Sequence, residues 1–425
     1  MPNTYYVDNT LFDGHAEGTV RDAYPSTIQL AADASSENDA YKNYGIWIVS
    51  GTGAGQSRRI TSYSGTTKFA VVSTWTITPD TTSVYEITVG ADTNTGANEG
   101  TGSIGAFRTW QKALDTVAAG DTVNIKAGRA YLEAAALKTA GGTTSFVRLR
   151  GYKDTPGDWE TFRAANPMLR PSHPAWDAYR AKMSECALTC SIVSNYICYS
   201  LESLWVDAVA GAFAFNLFNK QIITVRNCRA SNSLIGFYAN VSGLADFCCA
   251  DGNGSTSLTT GWAIINSDII GLVNMVYGGS IANCVIVGEV VADMALTGPI
   301  ANNTLIGTGE GDTAIKLPDK SSIVVNNLMY RFATGIEGGE MTAPISNIAV
   351  TNAFFDVDTP RQNFPVGIGD IEGADPGFVD PDNGDYRLRY DSPARGKGVP
   401  AYMDIGALQR REVATHRPIN LGVQV

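Results

Sequence analysis

Asn recurs in this chain before or within short apolar runs, and it recurs with a period. The runs are Val225-Arg226-Asn227-Cys228, Ile281-Ala282-Asn283-Cys284-Val285-Ile286, Ile300-Ala301-Asn302-Asn303-Thr304-Leu305-Ile306, Val324-Val325-Asn326-Asn327-Leu328 and Ile345-Ser346-Asn347-Ile348. Asn283, Asn303, Asn327 and Asn347 are 20, 24 and 20 residues apart. Short β runs at such a period, bounded by Gly and Asn, predict one turn of a parallel β-helix per repeat. Each turn would pair with the turns above and below at about 4.8 Å, with inward Ile, Val, Leu, Cys and Ala aligned as ladders. The Asn would sit at bends, each amide bonding its equivalent in the next coil. Long helices between strands are missing, which excludes doubly wound α/β folds. Hairpin turns every 8–12 residues, as in a β-sandwich, are missing too. At roughly 22 residues per coil the body has about 10 to 12 coils.

Composition agrees with stacked coils. Apolar residues make up 44% of the 425 and charged residues 17%, against about 25% in an ordinary globular protein. The 44 Gly suit a chain of many turns. A net charge of −11 repels phosphate backbones, so nucleic acid is not an expected partner. No run reaches the roughly 18 apolar residues of a membrane span, so no membrane partner is expected. Met1-Pro2-Asn3-Thr4 does not open a secretory signal, and the expectation is a soluble protein made in a cytoplasm.

The pattern divides the chain into four parts: residues 1–39, an N-terminal arm with a first strand at Tyr5-Tyr6-Val7; 40–92, a small β module; 93–410, the β-helix; and 411–425, a C-terminal tail. In the module, Tyr44 to Ser50, Arg58 to Tyr63, Lys68 to Val72 and Val84 to Val89 read as strands. The turn Gly51-Thr52-Gly53-Ala54-Gly55 is not a phosphate loop, because Gln56-Ser57-Arg58-Arg59 leads into a strand and not a helix. A capping helix is expected over about 105–118, with Phe107, Trp110, Leu114, Val117 and Ala118 on one face, Ser103 or a neighbour as cap and Gly120 past its end. Such a helix would cover the open first coil. Residues of about 154–187, polar but carrying Trp159, Pro167, Pro171, Pro174 and Trp176, read as a long excursion from the body.

The residues now resemble a known family. Gly105-Ala106-Phe107-Arg108-Thr109-Trp110-Gln111-Lys112-Ala113-Leu114-Asp115, continued by Ala118-Ala119-Gly120-Asp121-Thr122-Val123, resembles the opening helix and first coil of pectate-lyase-like β-helix proteins. Asp375-Pro376-Gly377-Phe378-Val379-Asp380, Gly384-Asp385-Tyr386-Arg387-Leu388, Ser392-Pro393-Ala394 and Asp404-Ile405-Gly406-Ala407 resemble the closing motif of right-handed β-helix proteins of that superfamily. Tyr5-Tyr6-Val7-Asp8 resembles their opening strand, split from the helix by the small module. That module, with Gly53-Ala54-Gly55-Gln56-Ser57-Arg58, is similar to one found in bacteriophage structural proteins. The resemblance implies an all-β, single-stranded right-handed parallel β-helix.

Function is less determined, because that superfamily includes polysaccharide lyases, hydrolases and non-catalytic virion spikes. A glycosidase needs two carboxylates about 5 to 10 Å apart, and Asp251, Asp268, Glu289, Asp293, Glu310 and Asp312 lie in the coil region. None stands out, and each reads equally as a solvated turn residue. A calcium-assisted lyase needs clustered Asp with a Lys or Arg base on adjacent coils, and no such cluster is evident. His15, His173 and His416 lie outside the main coils. The seven Cys, at 186, 190, 198, 228, 248, 249 and 284, are odd in number and read as reduced core residues rather than a disulfide framework. A zinc site at Cys186 and Cys190 lacks a second pair. No catalytic residue, metal or cofactor is therefore assigned. The expectation is a bacteriophage virion surface protein, head decoration ahead of tail appendage. Other virion proteins, major capsid or tail, would be its partners, and analogy with phage spikes implies a homotrimer. The alternative is a tailspike enzyme cleaving host surface polysaccharide.

Overall fold

Parallel strands stack in both units, and most of the described coils pass from a first stack to a second through one residue with left-handed backbone. The computed structural model describes residues 2–9, 16–87, 97, 106–107, 109–128, 130–132, 135–137, 147–184, 188–190, 198–208, 213–217, 222–233, 235–238, 243–251, 256–259, 263–275, 279–292, 298–308, 312–317, 322–339, 347–373 and 375–408. They fall into two units, Met1–Gly279 and Ser280–Val425, taken in turn.

In the first unit the first stack runs Thr4–Val7, Thr122–Lys126, Val147–Tyr152, Cys198–Glu202, Ile222–Arg226, Gly243–Asp246 and Ala263–Ile265. The second runs Ala181–Ser184, Leu204–Asp207, Arg229–Ser231, Cys249–Asp251 and Asp268–Ile270. The third includes Ala135–Leu137, Leu188–Cys190, Phe213–Asn216, Ile235–Tyr238, Thr256–Thr259 and Val273–Met275. Every one of these pairings is parallel. The register puts Val123, Leu149, Leu201, Val225, Ala245 and Ile264 in one inward column, all buried. Such columns bury apolar area in every coil at about 25 cal/mol per Å². Phe215 and Phe237 stack inside the third, with centroids 4.7 Å apart.

The corners are Ser203, Asn227, Phe247 and Asn266, with φ between 50° and 58°. Asn tolerates this conformation because its short amide bonds locally. The residue after each corner is buried: Leu204, the free Cys228 and Cys248, and Ser267.

The opening helix is shorter than its sequence pattern suggests. It spans Trp110–Thr116, capped by the Thr109 side chain, which accepts from Lys112 N. Phe107 cannot be helical because its backbone is already used: its N–H donates to Tyr6 O at 2.8 Å and its carbonyl accepts from Asp8 N at 2.7 Å. Trp110, Ala113 and Leu114 are buried, whereas Ala118 lies beyond the helix and is exposed. Gln111 Oε1 accepts from Ala136 N at 2.9 Å, which caps an open strand edge.

The small module is two four-stranded antiparallel sheets around one core that includes Ile28, Ile46, Ile48, Ile60, Tyr63 and Tyr85. Its sheets take in Ala16–Thr19, Asp22–Tyr24 and Thr27–Gln29, residues that pattern alone assigns to the arm ending at 39. These strands are short and half exposed, so their periodicity is faint. The stretch from Arg58 to Tyr63 is two strands, Ser57–Arg59 and Ser62–Tyr63, in different sheets.

In the second unit the first stack is Ser280–Ala282, Ile300–Ala301, Ile323–Val325 and Ile348–Val350. Leu328–Glu337 and Ala353–Gln362 are ten-residue strands that serve the second and third stacks at once. Corners fall at Asn283, Asn302, Asn326 and Thr351. The side chain after each corner forms a ladder. Asn303 Oδ1 accepts from Cys284 N at 2.9 Å, Asn327 Oδ1 from Asn303 N at 3.1 Å, and Asn352 Oδ1 from Asn327 N at 3.1 Å. Asp370 Oδ1 ends it, accepting from Asn352 N at 2.9 Å.

Two columns of Asn thus run side by side. Asn283 belongs with the corner residues Asn302 and Asn326, one position from the ladder that holds Asn303 and Asn327. Asn347 is in neither; it precedes its strand and accepts from Ser322 N, and Asn352 takes the ladder position. The C-terminal motif forms an antiparallel pair, Phe378–Asp380 with Asp385–Leu388. Phe378, Ala394 and Ile405 then pack on Leu328, Ala353 and Phe355. The 411–425 tail lies outside the described residues.

Candidate functional site

Polar side chains of the first unit gather on the outer faces of the first and second stacks. Register alone sets which ones meet, because equivalent residues of successive coils stand about 4.8 Å apart. On the first stack the outward column reads Asn124, Arg150, Glu202, Arg226, Asp246. Charges alternate from Arg150 to Asp246, as neighbours at this spacing require. Glu202, 3% exposed, accepts from Arg150 Nε at 3.0 Å and from Ser200 Oγ at 3.2 Å, with Arg148 Nε 3.4 Å away.

On the second stack Lys182, Trp205 and Arg229 are in register. Lys182 Nζ lies 4.0 Å and Arg229 Cζ 4.6 Å from the Trp205 ring centroid. Cations from the coils on either side therefore occupy the ring. Asp207 pairs with Lys182 Nζ at 2.9 Å and accepts from Ser231 Oγ at 2.9 Å and from Asn232 Nδ2. Burial opposes its ionisation, but the Lys182 ammonium and those hydrogen bonds outweigh it and hold the carboxyl below its ordinary range. Asp207 was not singled out from sequence; only its register partners reveal it.

The excursion fastens these faces together. It holds a helix, Asp158–Ala165, and a 3₁₀ turn, Pro174–Tyr179. Asp158 opens the helix by accepting from Asp154 N at 2.7 Å and Lys153 N at 3.1 Å. Trp159 and Trp176 are fully buried and cluster with Phe247. Phe247 holds a left-handed corner at φ 58°, costly for an aromatic, and the Trp176 ring packs on it at 4.8 Å. Arg180, 1% exposed, donates to Asn227 O at 2.9 Å, Asn227 Oδ1 at 3.0 Å, Pro171 O at 2.9 Å and Asp177 Oδ1 at 3.2 Å. Arg229 reaches Asp177 at 2.6 Å, Arg226 reaches Glu160 at 3.3 Å, and Arg163 reaches Asp246 at 3.4 Å.

The carboxylates considered from sequence are not brought together. Asp268 takes Arg170 and both the N–H and the hydroxyl of Ser172, so it anchors the excursion. Glu289 accepts from Thr313 N at 3.0 Å, which ties successive coils, and Asp312 accepts from Thr308 N and Oγ1, which braces a local loop. Asp293, Glu310, His15 and His416 lie outside the described residues, as does the Asp251 side chain. The Asp251 backbone pairs with Ser231, which pairs with Asp207, so the two Asp share a column two coils apart. His173 caps the 3₁₀ turn by accepting from Ala175 N. Among the described residues no group of three or more His, Cys, Asp or Glu is placed to hold a metal ion. Cys186 and the side chains of Cys190 and Cys198 lie outside the described residues.

The fold and its outer faces define a parallel β-helix protein. No protein-family model matches the chain, and no curated protein matches it. Among solved structures it is similar to that of pectate lyase Pel9A, with a TM-score of 0.38 and 11% sequence identity over 76% of this chain and 94% of that one.

Proposed function

We propose that this chain is a β-helical surface protein of a bacteriophage virion, a head decoration ahead of a tail appendage. One observation carries the reading: among the described residues of the first unit, charged groups on the outer faces are spent on each other. Arg150, Glu202, Arg226, Asp246, Asp207 and Asp268 bind coil to coil or excursion to coil, and the Trp205 ring is taken by cations. Such a surface gives rigidity. The small module supports the same reading through the phage-like run Gly53 to Arg58. There the Gln56 side chain bonds Ile77 O and Thr76 N, and Arg58 bonds Thr74 O and lies over Trp75, a loop locked for structural use. Mass spectrometry of density-purified particles, released from a host carrying the gene, tests the proposal. Peptides of this chain at many copies per particle are expected; particles free of them would overturn it.

The column of Asp207 and Asp251 favours a second reading, a depolymerase of host surface polysaccharide. Two coil steps separate their backbones by about 9.6 Å, and a glycosidase works with a pair of carboxylates on one face. Chain shortening by the purified protein, abolished by Asp207→Asn and by Asp251→Asn, would replace the first reading with this one.

A further inference from the structure

The first stack of the second unit turns an apolar face outward. Its inward column is Ile281, Ile300, Val324 and Ala349, all buried. One residue further along lies the outward column Ala282, Ala301, Val325 and Val350, which a bridge from Val350 carries on to Ile368. A second outward column holds Ile323 and Ile348, which are register partners. Val366 continues it, because Gly367 lies so close to the Ala349 backbone that a Cβ there would meet it at 2.8 Å. Ile323 is 43% exposed, Ile348 48%, Val366 79% and Ile368 84%. None of these outward residues is charged. They form an apolar patch across successive coils, and such a patch marks a contact surface.

Two features restrict what can cover it. The first is charge. A charged group buried against Ile and Val would lose water and gain no partner, so the occupant is neutral where it touches. The chain carries a net charge of −11, and two copies approach at least electrostatic cost through a face that has none. The second is period. The outward side chains repeat at the coil spacing of about 4.8 Å. A partner interdigitates along the whole column only if its side chains repeat at that spacing too, as in the dry faces of paired sheets. An α-helix repeats about every 5.4 Å and drifts about half a coil step out of register over four coils. A second copy of this face matches in charge and in period.

We propose that the chain pairs with a second copy of itself through this face, as an isologous two-fold dimer centred near Ile348. The patch is four coil steps tall and two columns wide, about 19 Å by 7 Å. That is below the roughly 800 Å² per partner of a stable dimer, so the pair is weak and concentration-dependent. A two-fold pair also differs from the homotrimer that analogy with phage spikes implies, and mass tells them apart. Sedimentation velocity of the full-length protein, from low to several hundred micromolar, tests this. A dimer fraction that rises across the range is expected. Val366→Asp with Ile368→Asp should weaken association by about tenfold or more, and both sites are exposed enough for the fold to survive. Ile348→Asp and Ile348→Lys should each be monomeric alone and form dimers when mixed. Ile77→Asp, at an exposed apolar site of the small module, should leave association unchanged. A monomer at every concentration of the unaltered protein would overturn the proposal. So would a trimer, or a dimer indifferent to the paired Asp variant.

Discussion

After each left-handed corner the two units place different chemistry. The first unit has Leu204, Cys228, Cys248 and Ser267 there, and the second has Cys284, Asn303, Asn327 and Asn352. The consequences differ. A thiol fills space and makes only weak bonds, such as Cys228 Sγ to Arg226 O at 3.4 Å. The first unit's corners are instead secured from outside, by Arg180 on Asn227, Arg163 on Asp246, and Arg170 with Ser172 on Asp268. In the second unit the Asn ladder secures the corners from within. Its first stack shows Ile323, Ile348 and Ile368 outward, where the first unit's shows a charge ladder. One winding can thus be held by a clasp laid over it or by a seam sewn through it.

Asn327 is where that contrast is most easily broken. Its Nδ2 donates to Ile300 O, Val325 O and Asn352 Oδ1, and its Oδ1 accepts from Asn303 N and Nδ2. Asn327→Ala leaves several buried groups without partners, so a loss of about 3–5 kcal/mol is expected, read as a lower urea midpoint. Arg180→Met should cost about 2–4 kcal/mol, because the acceptors on Asn227 and Pro171 lose a buried cationic donor. It should also speed alkylation of Cys228 at pH 8. Burial pushes that thiol up to about 12, so it stays protonated and inert unless the coil opens. Unchanged labelling in Arg180→Met would show that the clasp does not hold this corner. Asp268→Ala should cost about 1–3 kcal/mol, felt mostly as faster proteolysis within residues 154–180. The smallest effect belongs to Asp207. Its folded carboxyl titrates below the ordinary value of 3.8, so its contribution is complete above pH 4 and is lost as pH falls through the folded value. Asp207→Asn should flatten stability in that acid range while changing the midpoint at pH 7 by about 1 kcal/mol or less.

Much of the winding was legible in sequence, because an apolar ladder writes its period into the chain. Its phase was not. Asn302-Asn303 and Asn326-Asn327 are doublets, and letters alone do not say which Asn takes the left-handed corner and which enters the ladder. Phe247 at a corner breaks the Asn rule outright; its reason lies in Trp176, which packs on it from 71 residues upstream. The excursion was visible as an interruption, and its Trp residues hinted at packing. That Arg180 would be its buried pin was not visible, since nothing local marks an Arg as interior. The outward charge ladder was equally hidden. Arg150, Glu202, Arg226 and Asp246 become neighbours only through strand register, which runs across loops of unequal length.

Those unequal loops have a consequence of their own. Equivalent corner and ladder positions are separated by 24 residues in one place, 19 in another and 25 in a third. A single left-handed residue makes the turn each time, so the rest of the circuit is under no obligation to keep a fixed length. Material can be spliced into the far side of a loop without altering the pitch, much as beads of different size can be threaded on one cord. The chain can therefore acquire new outer furnishings gradually while its interior arithmetic stays the same.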